Sequence, residues 1–295
     1  MRIPAQLRDT VGRHRDGRVW LRQLPALVRG LRERWELRLG SPYRTGSCAW
    51  VAPAGRDVVL KVSWPHREAT CEPAALRAWD GWGAVRLLRH DPDRHAMLLE
   101  RCDPGGTLGD ADLPVRRRLE LGGAALTALW RPAPDGHGFE RLADVAAEWA
   151  DRTEARMARL RPDFDPGLVR LGAGLLRSLP RSAPREVLLH GDFNPGNLLA
   201  ARRTPWLAID PKPMVGDPAY DPWPLWEQAA SRFRAPAVAE RGRMLAGLLG
   251  WELGRLAAWA VARCVESALW YVDLYPGGGA AHMARARVYA GLTDL

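Results

Sequence analysis

His190-Gly-Asp-Phe-Asn-Pro-Gly-Asn197, followed by Pro205-Trp-Leu-Ala-Ile-Asp210, is the stretch on which the fold turns. Short apolar runs frame it: Val187 to Leu189, Leu198-Leu199 and Trp206 to Ile209. Such runs, bounded by Gly, Pro, Asn and Asp, read as strands ending in tight turns. They set Asp192, Asn197 and Asp210 at neighbouring strand ends. A carboxylate beside a hydroxyl accepts its proton. A second carboxylate and an amide oxygen are hard ligands that suit Mg²⁺. Pro195 and Gly196 permit the tight path that turns Asn197 back. A polar hairpin turn would use the same residue types. The combination of His190, Asp192, Asn197 and Asp210 favours a site, with His190 as a buried brace.

Upstream, the texture alternates. Residues 4–34 read as mostly helical, and Trp35 to Leu39 alternates apolar and polar as a half-exposed strand does. Gly40 to Ser47 is a turn-rich loop. Cys48 to Pro53, Asp57 to Val62, Val85 to Leu88 and Met97 to Leu99 read as further strands, with a helix over 68–80. This predicts a five-stranded antiparallel sheet with one inserted helix. After the Asp103 to Thr107 break, helices are expected at 114–130, 139–160, 166–179 and from 222 onward. The fold class is therefore α+β. The expected division is a helical segment (1–34), a sheet lobe (35–101) and a larger, mainly helical lobe (102–295).

Composition narrows the function classes. The 295 residues are 47% hydrophobic and 26% charged, which excludes a mainly disordered chain. The net charge of +9 invites a nucleic-acid partner. However, residues 1–101 hold 19 basic and 11 acidic residues, while the remainder is nearly neutral, and no block of five like charges occurs. No nucleic-acid partner is expected. The N-terminal stretch lacks a signal-peptide core and no long apolar run exists, so neither membrane association nor export is expected. The four Cys show no CxxC spacing, which suits a reducing cytoplasm. A cytoplasmic monomer is expected. Only two of the 43 basic residues are lysines, Lys61 and Lys212.

The Asp192–Asn197 spacing equals that of the kinase catalytic loop HxDxxxxN. HGDFNPGN, Ile209-Asp-Pro-Lys-Pro-Met-Val-Gly-Asp-Pro-Ala-Tyr-Asp-Pro-Trp-Pro-Leu225 and Ala75-Leu-Arg-Ala-Trp-Asp-Gly-Trp-Gly-Ala-Val-Arg-Leu-Leu88 together resemble the aminoglycoside phosphotransferase family. They resemble most its streptomycin 6-kinase and hydroxyurea phosphotransferase branch. The resemblance implies a bilobal protein-kinase-like fold, ATP and Mg²⁺ as cofactors, and phosphoryl transfer to a hydroxyl of a small cationic antibiotic. It implies Asp192 as general base, Asn197 and Asp210 as metal ligands, and Lys61 as the phosphate-holding lysine. Glu72 is the expected partner of Lys61, with Glu68 as the alternative. Gly46 and Ser47 would lie over the phosphates. Glu100 to Cys102 would form the hinge that meets adenine. The metal segment reads Asp-Pro-Lys where protein kinases have Asp-Phe-Gly, and Gly191 replaces their Arg. The short span from Asp210 to Asp217 leaves no room for a peptide-docking segment, which favours a small acceptor. Lys212 reads equally as a γ-phosphate contact or a solvated turn residue.

A polycationic acceptor calls for carboxylates. Asp221, Glu227, Glu266 and Asp273 are the candidates, with Asp217 read as a brace that caps the following turn. Glu266 and Asp273 share one helix face, and Trp270 between them offers a stacking surface. An amphipathic helix with a solvated acidic stripe is the alternative.

Overall fold

The computed structural model describes residues 1–44, 46–230, 233–275 and 277–293. Two helices, α1 (Ala5–Val11) and α2 (Arg15–Arg34), lead into β1 (Ala49–Pro53) and β2 (Val58–Ser63). Then come α3 (Arg67–Trp79), β3 (Leu87–Asp91) and β4 (Ala96–Glu100). The strands form one antiparallel sheet in the order β1-β2-β4-β3. Side chains alternate across a pleat, and the register shows what that does here. Trp50 lies opposite Val62, and Ala52 opposite Leu60. Leu60 in turn faces Leu98, and Val62 faces Ala96. These residues share one core with Leu24, Val28 and Leu31 of α2. Lys61 therefore points to the opposite face, in register with Val51 and Met97. Covering on both faces explains why β2 is apolar apart from Lys61 and Ser63, both of them buried.

The sheet has four strands, not the predicted five. Trp35, Leu37 and Leu39 do pack against the core, as their alternation requires. Within the run, Glu36 has φ of 54° and Leu37 N–H donates to Arg32 O of α2; the bonds to β1 come just after it, from Gly40 N–H to Pro53 O and from Tyr43 N–H to Val51 O. Pro42 between them has no N–H to donate, so an edge contact forms instead of a ladder. The predicted strand 85–88 starts later, because Val85 N–H donates to Ala208 O instead.

The chain continues through α4 (Val115–Leu129), β5 (Glu140–Arg141), α5 (Leu142–Leu160), α6 (Pro166–Ser178) and β6 (Val187–Leu189). β7 (Leu198–Ala200) and β8 (Trp206–Ala208) pair with each other. β9 (Met214–Gly216), which the sequence reading missed, pairs with β5 and β6. Last are α7 (Pro222–Gln228), α8 (Ala235–Leu249), α9 (Leu253–Leu274) and α10 (Ala280–Ala290). Two compact units result. One comprises Met1–Gly106 with Leu199–Lys212, the other Thr107–Leu198 with Pro213–Leu295. In the second unit α9 is the central helix, packed by α5, α6 and α10. Gly172 lets α6 approach it: a Cβ there would stand 2.6 Å from Cβ of Val265. Among the described residues no helix is long and apolar enough to cross a membrane.

Candidate active site

In the first unit, Lys61 is the organising charge. It is 6% exposed, and its Nζ donates to Glu72 Oε1 at 2.6 Å, Glu72 Oε2 at 2.7 Å and Asp210 Oδ1 at 2.5 Å. Burial opposes its charge, but the Asp210 and Glu72 carboxylates outweigh burial and hold the ammonium above its ordinary pKa. Glu72 is the partner and Glu68 is not. Glu68 lies 3.7 Å from Lys212 at the exposed surface. α3 carries both acids, and only Glu72 falls on the buried face with Leu76 and Trp79. Asp210 follows β8 with φ of 58°, a left-handed conformation that a short polar side chain tolerates.

The loop before β1 reaches the same end of the sheet. The Cys48 thiol, raised mainly by burial, feels the charges of Lys212, Asp210 and Glu68, and it also bonds Ser47. Gly46 has φ of 130°. Thr45 of this loop lies outside the described residues. At the far end of β4, the Glu100 carboxylate accepts bonds from Arg203 at 2.9 and 2.8 Å and from Arg86 N–H at 3.0 Å. The backbone N–H groups of Glu100 and Arg101 donate to Arg86 O and Asp57 O. The Cys102 N–H has no partner among the described residues. Burial pushes the Cys102 thiol up to about 12, so it stays neutral.

In the second unit, the turn after β6 is pinned from below. Asp221, 1% exposed, accepts the N–H groups of His190 at 2.9 Å and Gly191 at 2.8 Å. Burial pushes its carboxyl up to about 6, against the pull of those two N–H groups. Gly191 has φ of 81°, where a side chain would be strained. The Asp192 backbone carbonyl accepts Asn194 N–H and the Asn197 side-chain amide, both at 2.9 Å. The Asp192 carboxylate accepts Asn194 Nδ2 at 3.1 Å. The loop thus binds itself into one conformation, with Asp192 and Asn197 tied together. His190 is fully buried, packs edge-on against Phe193, and its Nδ1 accepts the Asp192 N–H.

Residues 35–274 match the family of aminoglycoside/hydroxyurea antibiotic resistance kinases. The chain belongs to that family. It is 36% identical to a streptomycin 6-kinase of Streptomyces glaucescens, over 88% of this chain and 86% of the relative. It is 37% identical to a hydroxyurea phosphotransferase of Kitasatospora aureofaciens, over 92% of this chain and 80% of the relative. Among solved structures, a thermostable mutant of the aminoglycoside phosphotransferase APH(4)-Ia, in complex with ADP and hygromycin B, superposes with a TM-score of 0.63. That match has 16% identity and covers 90% of this chain and 98% of the other. The fold is that of the protein-kinase-like phosphotransferases, as the sequence resemblance implies.

This family kinase uses its expected acceptor acids differently from the expectation of a free acidic wall. Asp221 is taken up by the loop it braces. Glu227 pairs with Arg285 at 2.9 Å, and burial pushes its carboxyl up. Glu266 lies 3.2 Å from Arg263 and 4.0 Å from Arg156. Asp273 binds Arg159 at 2.6 Å and Arg156 at 3.1 Å, which hold it below its ordinary pKa. Trp270 is 42% exposed and stands edge-on to Tyr271. Asp217 does cap the Pro218–Tyr220 turn through Ala219 N–H, and it also holds Arg255 and Trp259. Two residues escaped the sequence reading. Arg203 clamps Glu100. Arg263 stacks on Trp149 at 4.0 Å and lies within electrostatic reach of Asp192. An arginine inside the apolar run of α9 was the available signal for the second.

Proposed function

We propose that this kinase transfers the γ-phosphate of ATP to a hydroxyl of an aminoglycoside antibiotic, the 6-hydroxyl of streptomycin, and so confers resistance. The observation that carries this reading is the cluster of the buried Lys61 and Glu72 with Asp210, in a chain whose catalytic-loop sequence and near-full-length relatives match streptomycin 6-kinases. Lys61 positions the nucleotide phosphates, held in place by Glu72. The Gly46-Ser47 turn covers the phosphates, and the free Cys102 N–H next to Glu100 offers a donor to the adenine edge. Asp192 takes the proton of the attacking hydroxyl. Asn197 and Asp210 are the metal-holding residues. The donor set fits Mg²⁺: an Asp carboxylate and an amide whose nitrogen is already engaged with Asp192, which leaves its oxygen as the ligating atom. Among the described residues no three His, Cys, Asp or Glu form a metal cage, which suits an ion that shares its ligands with phosphates. When bound, Mg²⁺ neutralises the charge that builds on the transferring group. Positioning and electrostatics supply most of the rate.

Phosphorylation of hydroxyurea is the second reading, favoured by the 37% identical relative. A panel of streptomycin, dihydrostreptomycin, other aminoglycosides and hydroxyurea separates the two, read as acceptor-dependent ATP consumption with mass spectrometry of the product. Streptomycin is expected to gain one phosphoryl group, and Asp192→Ala to lose turnover while keeping its fold. Absence of ATP consumption with every acceptor, or near-full turnover in Asp192→Ala, would overturn the reading.

A further inference from the structure

The positive charge excess of residues 1–101 has a location. The first residues, α2 and the extended segment 37–42 border an open cleft of about 910 Å³ in the first unit. Its rim carries Arg2, Arg29, Arg32 and Arg38 and the chain's first residue, Met1, and no acidic residue lines it. Among the described residues, none of these four guanidinium groups meets a carboxylate or any other side-chain partner. By contrast Arg34, two residues past Arg32 and on the opposite side of α2, binds Asp91 at 2.7 Å. The floor is apolar: Val28, Leu37, Leu39 and Trp50. The walls are built rather than loose. Trp50 Nε1 donates to Arg2 O at 3.0 Å and anchors the N-terminal segment of the rim. Leu37 N–H donates to Arg32 O at 2.9 Å, and Gly40 N–H to Pro53 O at 2.8 Å, which fixes the Arg38 side. Four unpaired cations above an apolar floor repel one another until an anion joins them, and the volume is that of a small-molecule site.

We propose that this cleft binds a small organic anion that joins a phosphate-like or sulfonate-like head to a flat apolar body. The Arg29, Arg32 and Arg38 guanidinium groups take the head, and their planar forks match its oxygens. Leu37 and Leu39, both half-buried, take the body, backed by the buried Trp50. The site is separate from Lys61, which lies on the other face of the sheet, and the inference does not depend on the kinase reading.

The probe is 8-anilinonaphthalene-1-sulfonate, titrated by fluorescence into the full chain with saturating MgADP present to occupy the nucleotide site. Inorganic pyrophosphate serves as a head-only competitor. One bound probe per chain is expected, displaced by pyrophosphate. Arg29→Glu/Arg32→Glu should raise Kd at least tenfold and leave the melting temperature and basal ATP turnover unchanged. Arg29→Gln/Arg32→Gln should give an intermediate loss and guards against misfolding in the first variant. Unchanged probe binding in both variants, or no stoichiometric binding to the wild type, overturns the proposal. Co-sedimentation with phosphatidylglycerol vesicles in place of probe binding would equally overturn it, by making the face a lipid contact.

Discussion

Replacing Lys61 by Met separates what the buried charge does for the fold from what it does for catalysis. Glu72 is 2% exposed and loses the cation that contacts both of its oxygens. Breaking one side of a buried ion pair costs about 3–5 kcal/mol. Protonation is the escape open to Glu72, since burial already pushes its carboxyl up to about 7 against the pull of Lys61. The sign follows. A carboxyl raised in the folded state stabilises folding below its ordinary pKa near 4.5, and that contribution is lost as pH rises toward 7. Without Lys61 the folded pKa rises further, so the loss continues above 7. The deficit of Lys61→Met against wild type is therefore small near pH 5 and largest near pH 8. Lys61→Met/Glu72→Leu removes both charges and should recover stability to within about 1–2 kcal/mol of wild type, because an apolar pair of similar volume replaces a buried ion pair at little cost. Asp210 loses the same cation, but its side chain is 57% exposed and water can take over its charge, while its nearness keeps Glu72 favouring the protonated form. Turnover should remain down by about 10²–10³ in both variants, the usual loss for one electrostatic contact to a transferring group. Urea unfolding followed by tryptophan fluorescence at the two pH values, with ATP consumption, checks all of this. A single variant within 1 kcal/mol of wild type at pH 8, or a double variant that regains turnover, refutes the reasoning.

Asn197→Ala should shift the magnesium dependence of turnover to higher concentration, with the apo protein's melting temperature lowered only slightly; a magnesium titration checks it. Asp217→Asn should cost about 3–5 kcal/mol in urea unfolding. The carboxylate is fully buried and serves Arg255, Trp259 and the turn at Ala219 together.

Local signals were legible where one segment contained its own answer. The strand Val187–Leu189 and the turn after it follow from apolar runs punctuated by Gly, Pro and Asn. α3 and its inward Glu72 follow from the spacing of Leu76 and Trp79 on one helix face. The scarcity of lysine drew attention to Lys61, and burial explains why that position stands apart: its ammonium meets two carboxylates on three oxygens. β9 was not legible, because Met214–Gly216 is three residues long and takes its identity from two partners far away in sequence. The Trp35 to Leu39 alternation was read correctly as one-sided burial and wrongly as a strand, since pattern reports burial while a ladder requires extended backbone and open donors, and here Glu36 has φ of 54° and Leu37 N–H is spent on Arg32 O.

The acceptor acids show the same limit in its sharpest form. Glu266 and Asp273 do share a face of α9, as their spacing requires. What fills that face is Arg156, which comes from α5 and lies 117 residues from Asp273. No window of sequence contains that pairing, and a chain with 41 arginines offers every acid many suitors. Charge sign along one helix thus predicts where carboxylates stand, and only the packing of α5 on α9 decides whether they stand free. A cationic acceptor that used these acids would have to displace Arg156 or Arg159 from Asp273, exchanging one guanidinium-type contact for another. Such an exchange gains little affinity by itself, so the discrimination between acceptors must come from groups other than the charge of this stripe.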